Sequence, residues 1–340
     1  MAGGACYNRA MLAGFALLIL AFPAHASLPA VPEALPLAPI FERAARLEPP
    51  AVGPAAEVAD PADPAVVAFI ARLNFSGTAE ERALFEALAA RAMKSPTGRR
   101  LAARFVAAEG QLALRFEDFP GTGTYERKEG RNAFTAVEAA HVVRDERQET
   151  IALNRACLAI DPEYALDECG LHFAHEVFGH ALAWLEAGPG LRPVVLYYDD
   201  EFLSRLAGWT VTLELNGSIK DPEVYCAVAD PAAYQRWVSM SYPSSSSSLT
   251  LDEMRDPGAA WRGRLQQDIP EKARKMIVDQ LAYFSGFQGP LGLEHLAAFQ
   301  AAARDPRLRA IAAGTEELRL ALQARAEDFL QFGDCSDYYR

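Results

Sequence analysis

The chain has 340 residues, 51% of them hydrophobic, and a net charge of −12. That is ample apolar material for a filled core. The acidic balance argues against a nucleic-acid partner, which demands clustered Lys and Arg.

Residues 1–26 read as an export signal. Arg9 supplies a short positive region, Met11 to Phe22 an apolar stretch, and Ala24-His25-Ala26 a small-residue cleavage site. About a dozen apolar residues are too few to span a bilayer. The expectation is a periplasmic or extracellular protein with no stable membrane insertion once the signal is removed. Residues 27–64 are rich in Pro and Ala and read as a leader or linker. Residues 65–340 are expected to form one domain.

Apolar periodicity predicts helices over Ala65–Leu73, Glu80–Lys94 and Thr97–Glu109, the second with Leu84, Leu88 and Ala92 on one face. Gln111–Phe116 alternates apolar and polar residues, as a half-buried strand does. Thr122–Tyr125 and Ala133–Val137 are weaker strand candidates. Glu149–Ala156, with Ile151 and Leu153 on one face, is expected to be the edge strand of a small sheet. It directly precedes an apolar run, Leu171–Leu185, that reads as a buried helix. Gly188-Pro189-Gly190 breaks that helix, and Val194–Tyr197 is expected as a short strand. Asp200–Leu215 then carries a helical stripe of Phe202, Leu206, Trp209 and Leu213, stopped by Asn216-Gly217. Further helices are predicted over Ala232–Ser239, Pro270–Phe284, Leu293–Arg304 and Thr315–Phe332. Tyr242–Thr250, with its run of serines, reads as a loop. The fold class is α+β, predominantly helical.

Loss of the signal removes Cys6 and leaves Cys157, Cys169, Cys226 and Cys335, an even number in an oxidising compartment. Proximity favours Cys157 with Cys169 and Cys226 with Cys335. Asn74 and Asn216 each begin a short glycosylation pattern.

The apolar run holds His172, His175, Glu176 and His180. Burying imidazoles and a carboxylate is unfavourable without partners, and a metal ion is an economical one. His175 and His180 are five positions apart, which puts their side chains about 140° apart on an ideal helix. One ion can be gripped by both only if a π-bulge absorbs the extra residue. Gly179 is where such a distortion would be tolerated.

His175-Glu176-Val177-Phe178-Gly179-His180 resembles the His-Glu-x-x-Gly-His motif of the dipeptidyl-peptidase III family of zinc peptidases. The layout of strand, histidine helix and glutamate-bearing helix is similar to that of the gluzincin peptidases. The resemblance covers six residues of the chain. It implies a zincin-like fold in which His175 and His180 bind Zn2+ and Glu176 activates water. It also implies a glutamate on a later helix as third ligand. Glu201 fits that place, 21 residues after His180, with Asp200 and Glu214 as alternatives. A second metal set, His172 with Glu176 and His180, shares one face of a regular helix. Otherwise His172 orients the site or belongs to the core. Tyr197 and Tyr198 are candidates to steady an oxyanion or to pack in the core. Asp199-Asp200-Glu201 is explained by helix capping, and His141 and His295 are expected to be structural.

The implied function is an exported zinc metallopeptidase that hydrolyses peptide bonds in peptide or protein substrates. The alternatives are an inactive, metal-stabilised binding or scaffold protein and a zinc amide hydrolase acting on cell-wall material.

Overall fold

Helix α1 (Pro64–Ile70) starts where the Asp63 side chain accepts a hydrogen bond from the Ala65 amide and Pro64 presets the first turn. It ends before the expected Leu73, which instead opens β1 (Leu73–Ser76). Helix α2 (Ala79–Ala92) begins on a capping box. The Thr78 hydroxyl accepts from the Glu81 amide, and the Glu81 carboxylate accepts from the Thr78 amide. Ser95 caps α3 (Pro96–Ala107) through the Gly98 amide.

These elements come from a computed structural model that describes residues 63–119, 125–128, 131–134, 140–144, 149–159, 162–195, 197–198, 200–217, 222–230, 233–234, 248–286 and 290–324. Asp63 and Pro64 open α1, while the expected signal, and the expected leader as far as residue 62, lie outside the described residues. So do most of the serine-rich loop, most of Ala232–Ser239 and everything after residue 324. All described residues belong to one compact unit, Pro49–Arg340.

Strands β2 (Leu112–Glu117), β3 (Tyr125–Lys128), β4 (Arg131–Phe134), β5 (Ala140–Arg144) and β6 (Glu149–Asn154) follow. β3 and β4 pair antiparallel with each other. The other four strands form one sheet in the order β1-β2-β6-β5. β1, β2 and β6 are parallel, and β5 runs antiparallel to β6. The expectation for 149–156 is therefore corrected: β6 is internal, and β5 is the edge beside it. Burial gives the reason. Thr150, Ile151, Ala152, Leu153 and Asn154 are all buried, so both faces of the strand are covered, as parallel strands require. Alternation reveals Ile151 and Leu153 but not that the small Ala152 is inside as well.

A 3-10 turn (Arg155–Ala159) precedes a long helical run. The run consists of α4 (Pro162–Ala174), a π-helical segment (His175–Ala181) and α5 (Leu182–Ala187). Cys157 in the turn is bonded to Cys169 in α4, with a sequence separation of 12. In the chain-entropy account, closing so short a loop stabilises by about 3 kcal/mol. Cys226 is also disulfide-bonded; Cys335, its expected partner, lies outside the described residues. Gly188, at φ 68°, ends the run.

Helix α6 (Arg192–Val195) stands where a strand over Val194–Tyr197 was expected. The Val195 amide donates to the Leu191 carbonyl at 2.8 Å, a helical bond. So short an apolar run does not distinguish strand from helix. Helix α7 (Asp200–Asn216) ends at Gly217, whose φ is 74°. Then come α8 (Pro222–Ala229), α9 (Pro257–Leu265), α10 (Glu271–Gly286), α11 (Pro290–Ala302) and α12 (Pro306–Gln323). α8 and α9 are additional to the expected elements. α12 starts before Thr315, because Asp305 and Pro306 open it while the Thr315 hydroxyl bonds the Ile311 carbonyl inside the helix.

The fold is α+β and predominantly helical. Among the described residues, no helix is long and apolar enough to cross a membrane. The histidine helix lies at the heart of the core. Phe173 and Phe178 are buried against Phe69 and Phe85, and the π-segment packs against β5, β6 and α7.

Candidate metal centre

The geometry starts from the π-segment. Its i→i+5 hydrogen bonds add about one residue to each turn, so five positions make about a full circuit rather than overshooting by 140°. The His175 and His180 rings consequently sit with centroids 5.0 Å apart and planes at 78°.

Gly179 has a different role from the flexibility expected of it. A Cβ there would stand 2.2 Å from Ser204 Oγ and 2.3 Å from Ser204 Cα, so only glycine permits α7 to come this close. Gly208, one turn after Ser204, completes the seam. A Cβ on it would stand 3.3 Å from His175 Cβ and 3.1 Å from the Leu171 carbonyl oxygen. Small residues at 204 and 208 share one helix face, and that face seats α7 on the π-segment. Glu201, at the start of α7, is thereby carried to the two imidazoles.

His180 Nε2 lies 3.3 Å from Glu201 Oε2, and His175 Nε2 lies 3.8 Å from Glu201 Oε1. Glu176 Oε1 is 3.8 Å from His175 Nε2. Donor atoms of His175, Glu176 and His180 all fall within 4.8 Å of one another. Ligands around a tetrahedral zinc ion are about 3.3–3.5 Å from each other. Two imidazole nitrogens and a carboxylate fit such an ion in chemistry, and the contacts of 3.3 and 3.8 Å lie close to that spacing. Glu201 reaches both rings with separate oxygens, whereas the donor group within 4.8 Å holds Glu176 beside the two histidines and leaves Glu201 outside it.

Electrostatics prepares the same groups. Burial pushes the His175 imidazole down to about 3, against the pull of Glu201. It is neutral at ordinary pH, the form that donates a lone pair to a metal. Burial opposes ionisation of Glu201, yet His175, His180 and Arg205 together hold its carboxyl well below the usual carboxylate range. Burial and then Arg205 also lower His172.

The remaining candidates go elsewhere. The Glu214 carboxylate accepts from the Thr97 amide at 2.9 Å and from its hydroxyl at 2.7 Å, capping α3 well away from a ligand role. Tyr197 packs edge-on against Phe299, with centroids 5.2 Å apart, and Tyr198 is buried in the core. His172 feels the charges of Glu201 and Arg205 but is outside the donor group formed by His175, Glu176 and His180. The side chains of Asp199, Asp200, His141 and His295 lie outside the described residues.

Two residues at the site were not anticipated. Arg205 Nε donates to Glu201 Oε1 at 2.9 Å, and its Nη1 donates to the Tyr234 hydroxyl at 3.3 Å. Arg205 had a signal, a cation four positions after an acid on one helix. Tyr234 had none. No known protein family, curated protein or solved structure matches the chain.

Proposed function

We propose that this protein is an exported zinc metallopeptidase. His175, His180 and Glu201 would hold the ion, and Glu176 would serve as general base. The observation that carries the reading is the convergence of His175, Glu176 and His180 on the π-segment with Glu201 brought against both imidazoles from α7. A π-turn is uncommon and gathers at functional sites. The Cys157–Cys169 disulfide and the bonded state of Cys226 support export, because such bonds persist in oxidising compartments.

Zinc held by His175, His180 and Glu201 would supply Lewis acidity and make water easier to deprotonate near neutral pH. Glu176, 7% exposed and beside His175, accepts the proton as water attacks the scissile carbonyl. The same carboxyl returns it to the departing amine. Glu201 and the two imidazoles would keep the donor set fixed, and Arg205 holds Glu201 from behind. An extended substrate would pair with β5, the edge strand that packs against the π-segment, rather than with the internal β6.

The test combines bound-metal analysis with hydrolysis of a peptide library and of muropeptides. Wild type is expected to bind one zinc ion and to cleave peptides. Glu176→Gln should keep the zinc and lose about 10²–10⁴-fold of the activity. Protein without zinc, or a Glu176→Gln variant that still hydrolyses, overturns the proposal. Zinc retained with no hydrolysis by wild type points to the scaffold role, and cleavage of muropeptides alone to a cell-wall amidase.

A further inference from the structure

The Glu201 carboxylate is gripped from two directions. His180 Nε2 faces Oε2 at 3.3 Å, while Arg205 Nε donates to Oε1 at 2.9 Å. Glu201 and Arg205 are four residues apart on α7 and share a helix face. Their side chains are 16% and 13% exposed, so this is not the solvent-screened surface pair that contributes little. Arg205 is anchored in its turn by the Tyr234 hydroxyl, which accepts from Nη1 at 3.3 Å. Tyr234 is fully buried, its ring 5.8 Å from Phe202 and 5.7 Å from Trp209 between centroids. The guanidinium is therefore tied to a wall that cannot easily yield. A planar fork of donors fixes the direction of a carboxylate in a way that a lysine ammonium does not.

Resting on the reading of Glu201 as a metal ligand, we propose that Arg205 is a positioning residue. It holds the Glu201 carboxylate in the orientation that presents Oε2 beside His180, and Tyr234 holds Arg205. Positioning and simple charge balance predict opposite signs here. A guanidinium close to a cation repels it, so if Arg205 served only to neutralise Glu201, removing it would tighten metal binding. If it orients the carboxylate, removing it loosens binding despite the relieved repulsion.

Zinc affinity, measured by competition with a chromogenic chelator, distinguishes the two in wild type, Arg205→Met and Arg205→Lys. The visible spectrum of the cobalt(II)-loaded proteins reports ligand geometry independently of activity. Arg205→Met is expected to weaken zinc binding on the order of 10- to 100-fold, the usual loss when the partner of a ligand is removed. Arg205→Lys keeps the buried charge and so guards against a variant that fails to fold. It should also bind more weakly than wild type and show an altered cobalt spectrum. Wild type that binds no zinc overturns the metal reading itself. Wild type that binds, with Arg205→Lys matching it in affinity and spectrum or Arg205→Met binding as tightly or more tightly, overturns this inference alone.

Discussion

Gly179→Ala is the sharpest probe of how α7 (Asp200–Asn216) is seated. In an ordinary helix this change stabilises by about 0.5–1 kcal/mol, because glycine loses more backbone freedom on folding than alanine does. Here the new methyl carbon would stand 2.2 Å from Ser204 Oγ, 2.3 Å from Ser204 Cα and 2.4 Å from Ser204 Cβ. Carbon atoms in good contact are about 3.5–4.0 Å apart, so α7 must retreat by roughly an ångström. Overpacking of this kind costs about 1–3 kcal/mol, and a clash with a backbone carbon belongs at the upper end. Subtracting the propensity gain leaves a net loss of about 2 kcal/mol. At about 2–4 °C per kcal/mol for a domain of this general size, the melting temperature should fall by about 4–8 °C. Since Glu201 rides on α7, zinc affinity should fall with it. Adding Ser204→Gly should not restore either property in full, because the backbone at position 204 still stands in the way of the new methyl. The assays are thermal melting of the metal-free protein and chelator competition for zinc. Gly179→Ala that melts at or above wild type with unchanged zinc affinity would refute the close-packing argument.

Glu214→Gln tests the division of labour between two glutamates on one helix. It should destabilise by about 0.5–2 kcal/mol through the weakened cap on α3 (Pro96–Ala107). Denaturant unfolding would show this, while zinc affinity stays at the wild-type value; a large loss of zinc would make Glu214 a ligand after all. The partly buried histidines also make metal-free protein acid-sensitive. His175 has a folded value of about 3 against an ordinary 6.5, so below about pH 6.5 the unfolded chain takes up a proton that the folded one refuses. Stability is then complete above pH 6.5 and is lost as pH falls toward 3, with a slope of up to about 1.4 kcal/mol per pH unit. His172 is shifted the same way. Urea unfolding of the metal-free protein across this window should show the decline, and a flat profile would contradict the burial of His175.

Much of the site was legible because its signals are local. The interval from His175 to His180 conflicts with the 3.6-residue period if both rings are to meet one ion, and a swollen turn reconciles the two; the π-segment His175–Ala181 is what the chain forms there. The stripe Phe202, Leu206, Trp209 and Leu213 marks α7 and places Glu201 in its first turn. The buried faces of β2 (Leu112–Glu117) likewise follow from alternation. The four residues of β1 (Leu73–Ser76) carry too little pattern to be seen, and the side of β6 (Glu149–Asn154) that Ala152 covers is equally silent.

What the sequence by itself determined, then, is what repeats along the chain: which segments coil, and which side chains with metal-binding chemistry they carry. Tertiary structure alone decided which partners these meet. It seated Ser204 on Gly179, gave Glu214 to the Thr97 amide and Glu201 to the histidines, and made β5 (Ala140–Arg144) rather than β6 the sheet edge beside the histidine helix. It also tied Arg205 to Tyr234. The physical reason is range. Helical and strand periods are enforced by backbone geometry within a few residues, whereas Thr97 and Glu214 are 117 positions apart, and only close packing of the whole core brings such groups into register.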